Sequence, residues 1–236
     1  MSDAYALGTR KSGVRRMRAK RFLKATMFGV LTCLLSPLTE AADPKDLATL
    51  LSKNSCPNCD LREADLRGLD LIGADFSGAF LENASLEHAN LWKANFTGAN
   101  LKKARLIAAN LRNTDLSGAN LQGALLRGAN LKFTNAPGAD FTNADLRSVN
   151  LLNANLQEVN LVEADLSGAY IGRADLRRSV LTEAKFDSTI LIEANLDGLD
   201  LTDMDLSSVK LRNASLRGAI FCRTLTPWGQ DDRDCQ

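Results

Sequence analysis

Residues 61–100 read LREADLRGLD LIGADFSGAF LENASLEHAN LWKANFTGAN, and a large apolar side chain returns at every fifth position: Leu61, Leu66, Leu71, Phe76, Leu81, Leu86, Leu91 and Phe96. Followed outward, the series keeps one register to Phe221, giving 33 positions that are all Leu, Phe or Ile except Ala136. Two residues before each lies a small column, mostly Ala, as at Ala64, Ala74, Ala84 and Ala94. The residue between the two columns is usually Asp or Asn, and Gly is frequent two places after the large residue, as at Gly68, Gly73 and Gly98. A five-residue period fits neither a helix nor a strand, and a heptad is excluded as well. Each unit must therefore be a short extended piece plus a turn, with Asp, Asn and Gly supplying the turn chemistry. Two residues per unit point inward and three outward. One unit buries too little to fold alone, so units must stack.

The units Ala64-Asp65-Leu66-Arg67-Gly68 and Ala94-Asn95-Phe96-Thr97-Gly98 resemble the pentapeptide-repeat family, whose pattern is Ala-Asp/Asn-Leu-any-any, over about residues 59–223. The resemblance implies an all-β fold, a right-handed quadrilateral β-helix with four pentads per coil and about eight coils. Leu69, Leu199 and Met204 put large side chains in the small column and are expected to widen the coil locally. Ala136 is expected to leave a gap, and Pro137 to remove one backbone donor.

The rest of the chain divides around this block. Residues 1–41 carry eight cations, among them Arg15, Arg16, Lys20, Arg21 and Lys24, against Asp3 and Glu40, a balance of +6 that leaves the remainder at −5 under a total of +1. An apolar run from Ala25 through Leu35, Pro37, and small residues at Thr39 and Ala41 complete the three parts of an export signal with cleavage before Ala42. Met17 makes a better start than Met1, and an uncleaved membrane anchor is the alternative reading. Residues 42–58 read as an N-terminal cap, with Asp43 and Pro44 opening a short helix over about 44–52 whose apolar stripe is Leu47, Leu50 and Leu51. Residues 224–236 read as a non-repetitive C-terminal cap. Such caps are required because a β-helix otherwise ends in open strand edges.

With Cys33 inside the apolar run, four cysteines remain: Cys56, Cys59, Cys222 and Cys235. An even number in an exported chain suggests disulfides. A Cys222–Cys235 bridge would close a loop of 12 intervening residues. Cys56-x-x-Cys59 reads as a structural disulfide, with redox and metal-binding roles as alternatives; no thioredoxin-like βαβ unit accompanies it. Both cysteine segments are similar to the ends of exported members of the family, although Trp228 stands where a polar residue is expected between Pro227 and Gly229.

Composition removes several function classes. Hydrophobic residues are 45% and charged residues 24%, as in a globular protein. The longest apolar stretch, near 25–38, is too short and interrupted for a polytopic membrane protein. One histidine, His88, excludes any mechanism needing two. The aspartates recur once per unit at a turn position, so turn formation explains them and no nucleophile–base set emerges. No catalytic residue, metal ligand or cofactor is assigned.

The outward positions carry more. With 20 residues per coil, the face built on Leu71, Leu91, Leu111, Leu131, Leu151, Ile171, Leu191 and Leu211 shows Lys93, Arg112, Lys132, Arg173, Lys210 and Arg212 against Asp70 and Glu193, a balance of +4. It also places Ile72, Trp92, Phe133, Leu152, Tyr170, Ile190 and Ile192 outward. The face half a coil away balances at −4. Apolar side chains beside cations mark a candidate binding surface, here Trp92, Lys93, Arg112, Lys132, Phe133, Tyr170, Arg173 and Arg212. The reading is a non-enzymatic, exported scaffold or protein-interaction module whose compartment is a periplasm, a thylakoid lumen or the cell exterior. Its partner is a protein, with no nucleic acid and no stable membrane insertion beyond the signal segment, and a homodimer is compatible with it. One alternative, implied by the family, is a DNA-mimic protein that binds and protects a type II topoisomerase; that needs a cytoplasmic, strongly acidic rod, which the export signal and the −5 oppose. Another is a thiol-disulfide oxidoreductase acting through Cys56 and Cys59.

Overall fold

The computed structural model describes residues 42–235. The export-signal reading of residues 1–41 lies outside that range.

The chain enters through helix α1, Pro44–Lys53. Asp43 caps it by accepting the Lys45 amide at 2.8 Å, Pro44 occupies the first turn where no N–H is needed, and Asn54 ends it in the left-handed region. Leu50 is buried and Leu47 partly so. Leu51 points outward and is 60% exposed, because the step of about 100° per residue carries it off the face that Leu50 buries.

From Ser55 onward the backbone repeats one small motif. Parallel bridges join residue i to residue i+20, from Ser55↔Asp75 to Asp205↔Leu225. The Leu N–H donates to the carbonyl 19 residues ahead, as Leu91 does to Asn110 at 2.8 Å, and the residue two places on donates 19 ahead as well, as Lys93 does to Arg112 at 3.0 Å. Within a pentad, the Ala N–H returns to the Leu carbonyl, closing a four-residue turn (Ala94 to Leu91, 2.9 Å). The turn needs a positive φ two places after the large residue, where Gly98 has φ 64° and Phe133 φ 59°. The Asp or Asn before the large residue stabilises the turn through its side chain, as Asp75 does by accepting the Ser77 amide at 3.0 Å.

Both inward columns are buried along most of their length, with Leu69, Ser179, Ala184, Leu211, Ala214 and Leu216 partly buried. Hydroxyls in the small column are satisfied by carbonyls of the wall. Thr114 and Thr134 both donate to the Leu111 carbonyl, at 2.7 and 2.9 Å, so burial leaves them paired. Pro137 costs the ladder nothing. The ladder uses the amides of Ala136 and Gly138 (2.9 and 3.0 Å), and Pro137 falls between them at a position whose N–H elsewhere meets only a turn side chain.

Both ends of the ladder are closed by carboxylates. At the front, Asp46 of α1 accepts the Asp60 amide at 2.8 Å, which in later coils would bond a preceding coil. At the back, strands β1 (Thr224–Thr226) and β2 (Gly229–Asp231) form an antiparallel hairpin. It turns at Pro227-Trp228, with Trp228 at its tip and 58% exposed. Beyond it, Asp234 and Asp232 accept the amides of Phe221 and Arg223 at 2.8 and 2.9 Å.

Among the described residues the ladder is interrupted at one seam. Bridges are absent between Val180 and Asp200 and between Lys185 and Asp205, while the seams on either side are closed. The seam opens beside Leu199 and Met204, whose buried side chains occupy the small column. Leu69 has no such effect: no earlier coil stacks on it, and the Asn90 amide still reaches its carbonyl at 2.9 Å.

Candidate functional site

In most arginine-bearing pentads the side chain is neutralised locally. When Asp precedes the large residue, an Arg just after it folds back onto the carboxylate. Arg67 donates to Asp65 at 2.7 and 2.7 Å, Arg147 to Asp145 at 2.8 and 2.7 Å, and Arg177 to Asp175 at 2.9 and 2.7 Å. These contacts hold each carboxyl below its ordinary range, with the arginine hydrogen bond as the leading cause.

One row breaks the rule. Asn90, Asn110, Asn130 and Asn150 stand where Asp stands elsewhere. At the start of the row the amides link coil to coil, Asn110 donating to Asn90 at 2.8 Å and Asn90 to Asp70 at 3.1 Å. An amide carries no charge, so Arg112 is left without a carboxylate. It lies over the Phe133 ring instead, 5.3 Å from the centroid, and Lys93 lies 4.7 Å over Trp92. An aromatic face orients a cation without cancelling its charge. Lys93, Arg112, Lys132, Lys210 and Arg212 have no carboxylate partner among the described residues. Trp92, Arg112 and Lys132 occupy equivalent positions in successive coils, so they form one column with Lys93 and Phe133 beside it. A small cleft of 280 Å³ opens among Trp92, Asn110, Arg112 and Asn113.

The structure therefore gathers five of the eight face residues singled out from sequence into a contiguous strip. The other three are differently placed. Arg173 is held by Glu193 at 2.6 Å. Tyr170 is partly buried over Gly172, where an added Cβ would come within 3.2 Å of its ring. Arg212 is exposed in the same column but four coils beyond Lys132. Of the apolar residues expected outward, Ile72, Trp92 and Phe133 are exposed, while Leu152, Ile190 and Ile192 are partly buried. The distinction between Asp and Asn rows, written in the sequence, was the signal that the charge count alone did not use.

Phe133 occupies the left-handed turn position, φ 59°, that Gly fills in many pentads and that residues such as His88, Lys93 and Glu158 also adopt, so the turn projects its ring outward in the same way as its neighbours.

The four cysteines of the described residues are paired. Cys56 and Cys59 are disulfide-bonded, as are Cys222 and Cys235. Cys56 is fully buried and Cys59 nearly so, which denies an attacking thiol the access that exchange needs. Asp46, Cys56 and Cys59 are the one trio of potential metal donors among the described residues, and with the two sulfurs bonded to each other it offers a carboxylate alone. No described helix is long and apolar enough to cross a membrane.

Comparison with known proteins agrees with the geometry. The family model described as pentapeptide repeats matches in eight copies over residues 50–83, 84–123, 124–161, 160–198 and 191–223. A trypsin-treated variant of QnrB1, a plasmid-mediated fluoroquinolone resistance protein, is similar in fold, with TM-score 0.59 and 23% identity over 69% of this chain and 79% of that one. HetL from Nostoc sp. strain PCC 7120, a pentapeptide repeat protein involved in heterocyst differentiation regulation, is 32% identical over 74% of this chain and 86% of that one, with TM-score 0.26. A repeat protein from the Arabidopsis thaliana thylakoid lumen is 34% identical over 52% of this chain and 69% of that one, with TM-score 0.23. No curated protein matches the chain.

Proposed function

This chain belongs to the pentapeptide-repeat family, whose members fold as right-handed β-helices, and on that premise we propose that it is a non-enzymatic binding module that grips an acidic protein surface through the strip at Trp92, Lys93, Arg112, Lys132 and Phe133. The observation that carries this reading is the row of Asn residues that leaves Arg112 and its neighbours charged and unpaired, oriented by rings rather than neutralised by carboxylates. A bridge register of 20 residues supports four pentads per coil and a four-sided section. At that pitch the repeat makes about eight coils. The module works outside the cytoplasm, where its two disulfides persist, after removal of residues 1–41.

The test is affinity capture from extracts of the source cell, with partners identified by mass spectrometry. Phe133→Gly removes the ring that holds Arg112 at a turn position that Gly fills in many pentads, so the variant should fold and lose the partner. Arg112→Glu with Lys132→Glu should lose it too. Retention of the same partner by both variants sinks the reading. Two rivals have their own assays. Protection of supercoiling by a type II topoisomerase in the presence of an inhibitor would revive the DNA-mimic reading, and turnover in an insulin-reduction assay would revive the oxidoreductase.

A further inference from the structure

The open seam carries its own functional consequence. Between the stretches 178–188 and 198–208, the amides of Leu181, Glu183, Phe186, Asp200 and Asp205 make no hydrogen bond among the described residues, and neither do the carbonyls of Ser179, Ala184, Asp200, Thr202 and Asp205. In neighbouring coils the equivalent groups pair directly, as Leu161 does with Val180 at 2.8 Å and Leu201 with Ile220 at 3.0 Å. At the end of the seam a side chain reaches across in place of backbone, Ser208 accepting the Ser188 amide at 2.8 Å. The gap is a cleft of 360 Å³ lined by Ser179, Val180, Thr182, Asp200, Thr202 and Met204, within the size range of ligand sites.

Its chemistry is that of two unpaired strand edges with an acidic rim. Glu183, Asp200 and Asp205 have no cationic partner among the described residues, while Asp203 is held by Arg223 at 2.6 and 2.7 Å; of the two cations in these stretches, Arg178 is held by Glu158 at 3.0 Å and Lys185 has no carboxylate partner among the described residues. Val180, 49% exposed, gives the lip an apolar contact. Free backbone donors and acceptors recognise an extended peptide by strand addition, and the carboxylates select one with cationic side chains.

We propose that this seam is a strand-addition site for an extended, Lys- or Arg-bearing peptide segment of a partner protein. Leu199 and Met204 hold it open from inside. The site lies half a turn around the coil from the cationic strip and more than two coils further along the repeat, and is independent of it.

The test uses the octapeptide Val-Lys-Val-Lys-Val-Lys-Val-Lys as probe, with the same peptide N-methylated on alternate amides as control, on full-length protein. Exchange of the Leu181, Glu183, Phe186, Asp200 and Asp205 amides should be fast in the free protein and slow at least tenfold with the probe, but not with the methylated control. Replacing Leu199 and Met204 together by Ala should close the ladder, protecting these amides without peptide and abolishing binding. Should that variant not fold, Glu183→Lys with Asp200→Lys, both on exposed positions, should weaken binding at least tenfold. Arg112→Glu with Lys132→Glu should leave it unchanged, which separates this site from the strip. Equal slowing by the methylated peptide, no slowing at all, or full binding by the seam variants overturns the proposal.

Discussion

Phe76 and Phe96, one coil apart in the same inward column, stack with ring centroids 4.8 Å apart and planes 6° from parallel. That spacing equals the distance between neighbouring strands, so the rings report the rise of the coil from inside. Removing one leaves a void that flat neighbours cannot fill. Phe96→Ala should cost about 3–5 kcal/mol in urea unfolding. Phe80→Ala, at a position 48% exposed, should stay within about 0.5 kcal/mol.

Asn110→Asp recreates at Asn110-Leu111-Arg112 the arrangement that chelates Arg67, Arg147 and Arg177. The guanidinium should leave Phe133 and fold onto the new carboxylate. Thermal stability should be kept or slightly raised, while partner capture falls. Undiminished capture would show that the charge of Arg112 is not what the partner reads.

Asp65, Asp145 and Asp175 have folded-state carboxyls lowered by their arginines. The unfolded chain, with ordinary carboxyls near about 4, binds more protons as pH drops through that value. Their stabilisation is therefore complete above about pH 4 and is lost below it, as pH falls toward the folded values. The melting temperature should be level from about pH 7 to about pH 5 and then decline. Arg147→Met should make the acid branch shallower, as followed by circular dichroism.

The Cys222–Cys235 bridge ties the hairpin of β1 and β2 over the last coil. Replacing both cysteines by Ser should lower stability by about 3 kcal/mol in the loop-closure model. Exchange should accelerate first at the amides of Phe221 and Arg223, which rely on Asp234 and Asp232.

The period of five made the inward columns readable without coordinates, because one repeated backbone shape maps sequence position directly onto direction. The capping helix was readable from Asp43 and Pro44 for the same local reasons. The hairpin at Pro227-Trp228 was not, since it follows the last repeat and is held by carboxylates far ahead of their targets. At the site, charge could be counted from sequence, but whether a cation was free depended on the residue two places before it. Leu199 and Met204 announced a widened coil. Where the ladder parted, and that Leu69 would not do the same, depended on which coils stack above and below.

A register of 20 residues also constrains how such a gene can change length. Loss or gain of five codons inside the repeat would preserve every inward column, yet swing all later outward residues a quarter turn around the axis. Trp92 and Lys132 would then no longer share a side. Only changes of twenty codons keep the two surfaces in phase, so descendants of this chain that retain both should differ in length by whole coils.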